Sequence, residues 1–235
     1  MKTIGLLGGM SWESTVPYYQ IINRTIAERL GGLHSAKLVL CSVDFDEIEK
    51  LQHAGRWAEA GDRLAAEASK LEKAGADFVV LCTNTMHKVA SSIEATIRIP
   101  LLHIADPTAR AIVQRNLRVV GLLGTRFTME EEFYKSRLEQ KHGLQVLVPS
   151  VEDRTTVHEV IYQELCRGRI VESSRLKYGS IMTDLVARGA QAVILGCTEI
   201  SMLIRDSDFT VPLFDTTEIH ARSAALMALG DEVDG

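Results

Sequence analysis

The sequence predicts an α/β protein of two similar lobes, each built around a parallel sheet. Short runs of Val, Ile and Leu alternate with amphipathic stretches along the chain, and this alternation is typical of α/β folds. The strand-like runs are apolar throughout, as they are in parallel sheets that are covered on both faces. The chain has 235 residues, which suits two lobes of roughly 100–120 residues or one larger α/β domain.

The same alternation predicts the individual elements in chain order. The predicted strands occupy residues 3–7, 38–42, 78–81, 101–104, 119–123, 144–148, 192–195 and 211–214. The predicted helices occupy residues 14–29, 57–73, 88–96, 107–115, 129–140, 155–167 and 173–187.

The two halves of the sequence repeat each other. Three pairs of stretches match in order, at offsets of 116, 114 and 112 residues: "TIGLLGGM" with "VVGLLGTR", "AGADFVVLCTNT" with "RGAQAVILGCTE", and "IPLLHIAD" with "VPLFDTTE". One such match is weak because βα units share the pattern, but three in order indicate an internal duplication. We therefore predict a first lobe of residues 1–104 plus 216–235 and a second lobe of residues 105–215.

The duplication gives one threonine and one cysteine equivalent positions. In the second matching pair, Thr83 falls on Cys197, whereas Cys82 falls on Gly196, so we predict that Cys82 is a core residue. Thr83 and Cys197 both follow the carboxyl end of a predicted strand, which is where open α/β sheets bind ligands. Two lobes related by a pseudo-two-fold axis would present these positions to each other across a cleft.

Two proton-transfer groups on opposite sides of a small molecule can invert a stereocentre. One group removes a proton from one face and the other returns a proton to the opposite face. A thiol suits the role of base, because its reference pKa of about 8.5 can be lowered by a helix N-terminus. Cys197 is therefore expected to form a thiolate, whereas the alcohol of Thr83 can only donate or relay a proton.

Backbone donors are expected beside both positions. Asn84-Thr85 and Thr198-Glu199 open the two predicted helices, and the unpaired N–H groups of helix N-termini can stabilise a carbanion-like transition state. After the first strand, the glycines of "LLGGM" would let the chain approach a ligand closely.

A family resemblance follows from five motifs: "GLLGGMSWEST" (5–15), "RLGGLHSAKL" (29–38), "CTNTMHK" (82–88), "GLLGT" (121–125) and "GCTEI" (196–200). On these motifs, and over essentially the whole chain, the sequence resembles the aspartate/glutamate racemase family, in the branch of bacterial aspartate racemases and broad-specificity amino acid racemases. The resemblance implies two Rossmann-like lobes with the site between them. It also implies a two-base mechanism without pyridoxal phosphate or another cofactor, and commonly a dimer.

The sequence departs from this family at one catalytic position. The family's first motif is Cys-Asn-Thr, and here Thr83 takes the place of the cysteine, while Cys197 retains the second one. The resemblance is to a subgroup with Thr at that position and implies a preference for one enantiomer, with Cys197 facing the L-enantiomer. It assigns substrate contacts to Met10, Gln52, Thr83, Asn84, Thr85, Thr198 and Glu199. Some aspartate-specific members have a basic residue where Cys166 stands, so the selector of the substrate side chain stays open.

Structural roles are the alternative for several of these residues. Helix capping or a helix-dipole contact could explain Asn84, Thr85, Thr198 and Glu199. His87 lies one helical turn after Thr83, where it could orient Thr83 or a water, or serve only the fold. His103 and Asp215 follow the equivalent "PLL" and "PLF", and their participation stays open.

Composition excludes several other classes of function. The net charge of −5 and the lack of a basic run argue against nucleic acid and anionic membranes as partners. No apolar stretch approaches the ~20 residues of a membrane span, and "MKTIGLLGGMSWE" lacks a cleavage site, so we interpret it as a first strand. The four cysteines have no CxxC spacing, which favours a reduced, cytoplasmic protein. His158 opens "HEVIY", which lacks the second histidine of a zinc motif.

We therefore expect a cofactor-independent and metal-independent amino acid racemase that forms a homodimer and acts on L-aspartate or L-glutamate. Cys197 would be the base and Thr83 the opposing donor. Three alternatives stay open: a broad-specificity amino acid racemase, a single-cysteine decarboxylase of the same superfamily, and a two-lobed amino acid sensor without activity.

Overall fold

The computed structural model describes residues 1–205 and 209–231. The chain divides into two compact units. The first contains Met1–Ile104 and His220–Gly235, and the second contains Ala105–Ile219.

The first unit is built on a sheet of four parallel strands in the order β2-β1-β3-β4. These are β1 (Ile4–Gly8), β2 (Leu38–Ser42), β3 (Phe78–Leu81) and β4 (Leu101–Leu102). The helices between them are α1 (Trp12–Leu30), α2 (Phe45–His53), α3 (Trp57–Lys73) and α4 (Ala90–Thr96), and a 3₁₀ turn, Thr85–Val89, follows β3.

The second unit has a sheet with the equivalent order, β6-β5-β7-β8, again all parallel. Its strands are β5 (Val119–Gly124), β6 (Gln145–Leu147), β7 (Ala192–Gly196) and β8 (Leu213–Asp215). Its helices are α5 (Ala105–Gln114), α6 (Arg126–Glu130), α7 (Glu132–Ser136), α8 (Val151–Gln163), α9 (Glu172–Ala187) and α10 (Ile200–Leu203). A π turn (Arg137–Lys141) follows α7, a 3₁₀ turn (Leu165–Arg167) follows α8, and α11 (Thr216–Leu229) includes the boundary between the units.

Strand register repeats between the two sheets. In the first sheet, Val79 pairs with Gly5 on one side and with Leu101 on the other. In the second sheet, Val193 pairs in the same way with Gly121 and Leu213. These three equivalences carry the same offsets as the three matching sequence stretches, so the repeat in sequence corresponds to a repeat in backbone pairing.

Both faces of the first sheet are covered, which explains why its strands are apolar throughout. Leu7, Val79 and Leu81 belong to a buried cluster with residues of α2, α3 and α4. Neighbouring positions such as Leu6 and Val80 point to the opposite face, where they pack with α1 and the small side chains of α11. The second unit has a cluster around β5, β7, α8 and α9.

All eight predicted strands are present, and the helices differ from prediction in several places. The periodicity did not predict α2 or α11, and it gave no bounds for α10, the helix expected to begin at Thr198-Glu199. The predicted helix 129–140 is broken into α6, α7 and the π turn, because Glu131 has an extended backbone with ψ of 153°. The predicted helix 88–96 is a 3₁₀ turn followed by α4.

Candidate active site

The turn after β7 holds the cysteine of the second unit. Gly196 ends the strand in a crowded place, because a Cβ there would lie 2.7 Å from Leu122 Cδ1 and 2.8 Å from the Leu123 carbonyl oxygen. Position 196 therefore has no room for a side chain, and the first side chain after it is that of Cys197. The carbonyl of Cys197 accepts from the backbone N–H of Ile200 at 3.1 Å, which closes the turn and starts α10.

A buried carboxylate lies against this cysteine. Glu199 is 2% exposed. Its Oε2 accepts a hydrogen bond from Cys197 Sγ at 3.0 Å and another from Thr198 Oγ1 at 2.9 Å. The side chain of Glu199 makes no capping hydrogen bond to α10. The carboxylate is placed instead to accept the thiol proton.

The expected lowering of the Cys197 pKa is wrong. Burial raises the pKa of this thiol well above its ordinary value, and the charge of Glu199, the neighbouring Cys166 and the side-chain hydrogen bond to Glu199 raise it further. The helix that was expected to stabilise a thiolate, α10, has only 4 residues. A charged carboxylate at hydrogen-bond distance outweighs so short a helix, because it favours the neutral thiol as a donor. The resting state of Cys197 is therefore a thiol.

Two further residues, neither of them among the predicted site residues, lie near this pair. Burial raises the pKa of Cys166, which lies in the 3₁₀ turn after α8, and the nearby Glu199 raises it further. Tyr178 of α9 donates its hydroxyl to the Val157 carbonyl at 3.0 Å. Burial raises the pKa of Tyr178, and the neighbouring Cys197 raises it further. No local motif could have found these contacts, because they join separate elements.

The equivalent turn in the first unit holds Thr83. It stands two residues after Leu81, the last residue of β3, as Cys197 stands two residues after Leu195. Thr83 is buried, and so are Asn84 and Thr85 at the start of the 3₁₀ turn. Asn84 is at the N-cap position but makes no side-chain capping hydrogen bond.

Cys82 belongs to the core. It is fully buried in a cluster with residues of α1 and α11, and its Sγ contacts the Val80 carbonyl at 3.6 Å. Burial raises the pKa of the Cys82 thiol far above its ordinary value. This thiol is therefore neutral and packs in the core.

His87 fixes the backbone of Thr83. The backbone N–H of Ile104 donates to His87 Nε2 at 3.2 Å, so Nδ1 carries the ring hydrogen and donates to the Thr83 carbonyl at 2.7 Å. The rings of His87 and His103 are neighbours, with centroids 4.3 Å apart. This arrangement anchors the Thr83 turn to the segment after β4.

Met10 and Gln52 approach the Thr83 turn from other elements. Gln52, in α2, donates Nε2 to Met86 Sδ at 2.9 Å, and Met10 and Met86 belong to one buried cluster. The local backbone requires a glycine before Met10. Gly9 has a φ of 91°, and a Cβ there would meet the backbone of Val43.

The side chain of Asp215 binds backbone N–H groups at the start of α11. Its Oδ1 accepts the backbone N–H groups of Thr217 at 2.8 Å and Glu218 at 3.3 Å. Burial raises the pKa of Asp215 although these two N–H groups oppose the shift.

The structure thus places the predicted site residues in two groups, one in each unit. Thr83, Asn84 and Thr85 share a turn, with Met10 and Gln52 close to it. Cys197, Thr198 and Glu199 share the other turn. In residues 1–205 and 209–231, no three His, Cys, Asp or Glu side chains are grouped so that they could hold a metal ion. Among the helices of that same part of the chain, none is both long enough and apolar enough to cross a membrane.

Comparison with known proteins gives consistent matches along the chain. A family model described as Asp/Glu/Hydantoin racemase matches residues 7–224. A crystal structure of a candidate Asp/Glu racemase from Yersinia pestis is 55% identical, with a TM-score of 0.91, and the match covers 97% of this chain and 100% of that one. The structure of an aspartate racemase homologue from Pyrococcus horikoshii OT3 is 34% identical, with a TM-score of 0.84 over 97% and 100% of the two chains. The broad specificity amino-acid racemase RacX of Bacillus subtilis (strain 168) is 23% identical over 94% of this chain and 95% of its own.

Proposed function

Because the chain belongs to the Asp/Glu/hydantoin racemase family, we propose that it racemises acidic amino acids, with L-aspartate and L-glutamate as its substrates. One observation carries the proposed chemistry. A buried thiol, Cys197, donates to a buried carboxylate, Glu199, at the position equivalent to Thr83. The site-residue assignments below are part of this proposal.

In the first step, Glu199 accepts the proton of Cys197. The transfer runs along the existing 3.0 Å contact between Sγ and Oε2 and leaves the net charge of the pair unchanged, so it avoids the cost of adding a second buried charge. The thiolate that results is strongly basic, because its surroundings raise the pKa of Cys197.

In the second step, the thiolate removes the α-proton from the L-face of the substrate. The Cα–H bond breaks, an S–H bond forms, and the electron pair stays on the substrate as a carbanion-like centre. Thr83 then returns a proton from its hydroxyl to the opposite face and recovers one from water. The hydroxide that this leaves takes the proton held by Glu199, which restores the resting thiol and carboxylate. This step requires the two turns to reach opposite faces of one substrate, as we propose for the two units.

The remaining predicted site residues are proposed as substrate contacts. They are Met10, Gln52, Asn84, Thr85 and Thr198, with Glu199 as the residue next to the reacting thiol. All of these side chains are buried, and preorganised donors in a water-poor site stabilise developing negative charge better than water does. Cys166 stands where some aspartate-specific relatives have a basic residue. The group that selects the substrate side chain is therefore left for the experiment below to identify.

The reaction needs no cofactor in this scheme. Cys197 and Glu199 supply and accept the protons. Neither of the two equivalent positions, 83 and 197, holds a lysine that could form a Schiff base. Activity should survive exhaustive treatment with EDTA and should not rise when pyridoxal phosphate is added. Loss on EDTA treatment with recovery on adding zinc would contradict this part of the proposal.

We also propose that the protein is a cytoplasmic homodimer. Its four cysteines are free thiols, as in a reducing compartment. On α1, the apolar side chains of Trp12, Val16 and Tyr19 are 62%, 45% and 53% exposed, and their spacing puts them on one helix face. Sedimentation velocity of wild type and of Trp12→Ser tests the dimer, which should weaken in the variant; a monomeric wild type contradicts it.

Broad substrate specificity is the second candidate, and the named activity of the Bacillus subtilis relative favours it. Proton NMR of an amino acid panel incubated with the protein in D₂O tests both candidates together. The proposal predicts loss of the α-proton signal for L-aspartate and L-glutamate, and broad specificity predicts loss for other amino acids as well. Cys197→Ser is the matched control and should lose more than about nine tenths of kcat, a barrier change above ~1.4 kcal/mol.

Two other outcomes would reject racemisation. Release of carbon dioxide from a malonate-type substrate would indicate a decarboxylase, which needs only one thiol at the paired positions. Tight binding of an amino acid without any α-proton exchange would indicate a sensor.

A further inference from the structure

A cluster of three buried histidines includes the one that binds the Thr83 turn. They are His87 in the 3₁₀ turn, His103 directly after β4 and His220 in α11. The ring of His87 neighbours both others, with centroid separations of 4.3 Å to His103 and 6.1 Å to His220. All three histidines belong to the first unit, and the proposed reaction uses none of them.

The partners of His87 determine which ring nitrogen carries the hydrogen. Nδ1 lies 2.7 Å from the Thr83 carbonyl oxygen, which can only accept. Nε2 lies 3.2 Å from the backbone nitrogen of Ile104, which can only donate. His87 is therefore a neutral ring with its hydrogen on Nδ1, and both of its nitrogens are engaged with backbone groups.

His220 has its ring hydrogen on the other nitrogen. Its Nε2 lies 2.8 Å from the Leu102 carbonyl oxygen, so Nε2 is the donor. Its Nδ1 lies 2.9 Å from the hydroxyl of Tyr18, which donates to a neutral ring. His220 thus holds the carbonyl at the end of β4, and His87 holds the N–H of Ile104 two residues later. The segment after β4 is therefore fixed against the same cluster that binds the Thr83 carbonyl.

The backbone of Thr83 is held on both sides. Its N–H donates to the Leu81 carbonyl at 2.9 Å, and its carbonyl accepts from His87 at 2.7 Å. With both backbone groups bonded, the direction of the hydroxyl depends mainly on χ1, and a β-branched side chain has few allowed values of χ1. Loss of the bond from His87 would release the carbonyl side of this residue and let the hydroxyl move.

The second unit holds its equivalent residue in a different way. The carbonyl of Cys197 accepts from the backbone N–H of Ile200 at 3.1 Å. In the alignment of the two halves, Ser201 stands in the place of His87, and its hydroxyl contacts the Thr198 carbonyl at 3.4 Å. A histidine that binds the carbonyl of the paired residue is therefore a feature of the unit in which that residue is an alcohol.

We propose that His87 is a positioning residue for Thr83, which directs the threonine hydroxyl toward the face of the substrate that receives the proton. This inference rests on the proposed function, in which Thr83 acts on that face and Cys197 on the other. An alcohol is a weak proton donor, so its contribution depends strongly on the distance and direction of its hydroxyl. His87 therefore affects inversion, which needs Thr83, and spares the α-proton exchange that Cys197 performs alone.

Two substitutions separate the two hydrogen bonds of His87. In His87→Asn, the amide nitrogen can take the place of Nδ1 and keep the bond to the Thr83 carbonyl. In His87→Gln, the longer side chain can bring its amide oxygen to the place of Nε2, which keeps the bond from Ile104 and loses the bond to Thr83. Each variant loses one hydrogen bond of the same ring, so the two should lose similar amounts of thermal stability.

The readout is the ratio of inversion to α-proton exchange for L-aspartate and L-glutamate in D₂O, followed by optical rotation and proton NMR. His87→Gln should lower this ratio about tenfold, since a 1 Å misplacement can cost about 10²-fold. His87→Asn should stay within about threefold of wild type. Tyr18→Phe is the control: it removes a buried hydroxyl from His220 and should lower Tm, but leave the ratio within about twofold.

Equal ratios in His87→Gln and His87→Asn would overturn the proposal. A fall with Tyr18→Phe as large as that with His87→Gln would also overturn it, because the histidine would then act only through stability. A wild type that exchanges no α-proton would instead reject the proposed function.

The tautomer can be measured without any activity and without a variant that folds. The ¹⁵N resonances of the imidazole rings in the wild type should show the hydrogen of His87 on Nδ1 and that of His220 on Nε2. The signals of each ring are assigned through its own backbone. A hydrogen on Nε2 of His87 would overturn the proposal, because the ring could then not donate to the Thr83 carbonyl.

Discussion

Replacing Glu199 with Gln should lower the pKa of Cys197 by about three units. The carboxylate oxygen is 3.0 Å from the sulfur, and the charge is spread over two oxygens, so a mean separation of about 4 Å is reasonable. Two unit charges at about 4 Å interact by roughly 4 kcal/mol at an effective dielectric constant of about 20. One pKa unit corresponds to about 1.4 kcal/mol, which gives the value of about three. Glutamine nearly conserves the shape of the side chain but removes the charge.

The assay is the ¹³Cβ titration of Cys197, with Glu152→Gln as the matched control. Glu152 is an exposed residue in the first turn of α8, where solvent screens its charge, so its replacement should leave the Cys197 midpoint within about half a unit. The same Glu199→Gln protein should lose roughly 10²-fold in kcat for the L-substrate, because Gln cannot accept the thiol proton and the resulting thiolate is a weaker base. A midpoint within about half a unit of wild type would show that Glu199 does not hold the Cys197 proton, and would refute this reasoning.

Three other substitutions test the packing and charges around the two turns. Cys82→Ala should cost about 1 kcal/mol of stability through a small core cavity but change kcat less than about twofold; a loss of activity as large as that of Cys197→Ser with an unchanged Tm would show that Thr83 is the wrong equivalent. Gly196→Ala should lower stability by about 2 kcal/mol, because its Cβ would crowd the Leu123 carbonyl at 2.8 Å. The control, Gly179→Ala in α9, should be neutral or stabilising, because a Cβ there has only ordinary contacts. Equal Tm changes in the two variants would contradict this reasoning. Asp106→Asn should cost about 2 kcal/mol near neutral pH, because Asp106 accepts from Arg137, Lys141 and His142. Burial alone would raise the pKa of Asp106, but the hydrogen bonds from these three residues hold it well below its ordinary value. The contribution of Asp106 to stability is therefore complete above the unfolded pKa of about 3.9 and is lost as the pH falls below it. Thermal unfolding of both proteins should show a difference in stability that narrows in acid, and a constant difference would contradict the ionised state.

The sequence was informative where a single strand or turn determines the outcome. Continuous apolar runs predicted all eight strands, because both faces of each sheet are covered and no polar face interrupts the pattern. The repeat placed Thr83 opposite Cys197 in the alignment, and the pairing of Val79 and Val193 with their neighbours carries the same offsets. The structure also explains the glycine at position 196, because the fold leaves no room for a side chain there.

The sequence was less informative where contacts join distant elements. The periodicity missed α11 because its buried apolar residues are all alanines, namely Ala221, Ala224, Ala225 and Ala228, which give little amphipathic contrast. The ionisation of Cys197 was predicted with the wrong sign, since it depends on burial and on where the Glu199 carboxylate points. Glu199 raises the pKa of Cys166 although the two residues are 33 positions apart in the chain, and no spacing rule relates them.

The central claim is that one strong base, Cys197, works opposite a weak partner, Thr83. We would follow deuterium entry at the α-carbon and optical rotation together, for L- and D-substrate in D₂O, with wild type and Thr83→Cys. The account predicts that the wild type exchanges the α-proton of the L-enantiomer faster than it inverts that enantiomer, because the thiolate can return a solvent-derived proton to the same face. It also predicts slow exchange of the D-enantiomer, because an alcohol is a poor base, and faster D-exchange in Thr83→Cys. Equal exchange rates for the two enantiomers in wild type would contradict the account, and so would a Thr83→Cys protein whose D-exchange is no faster than before.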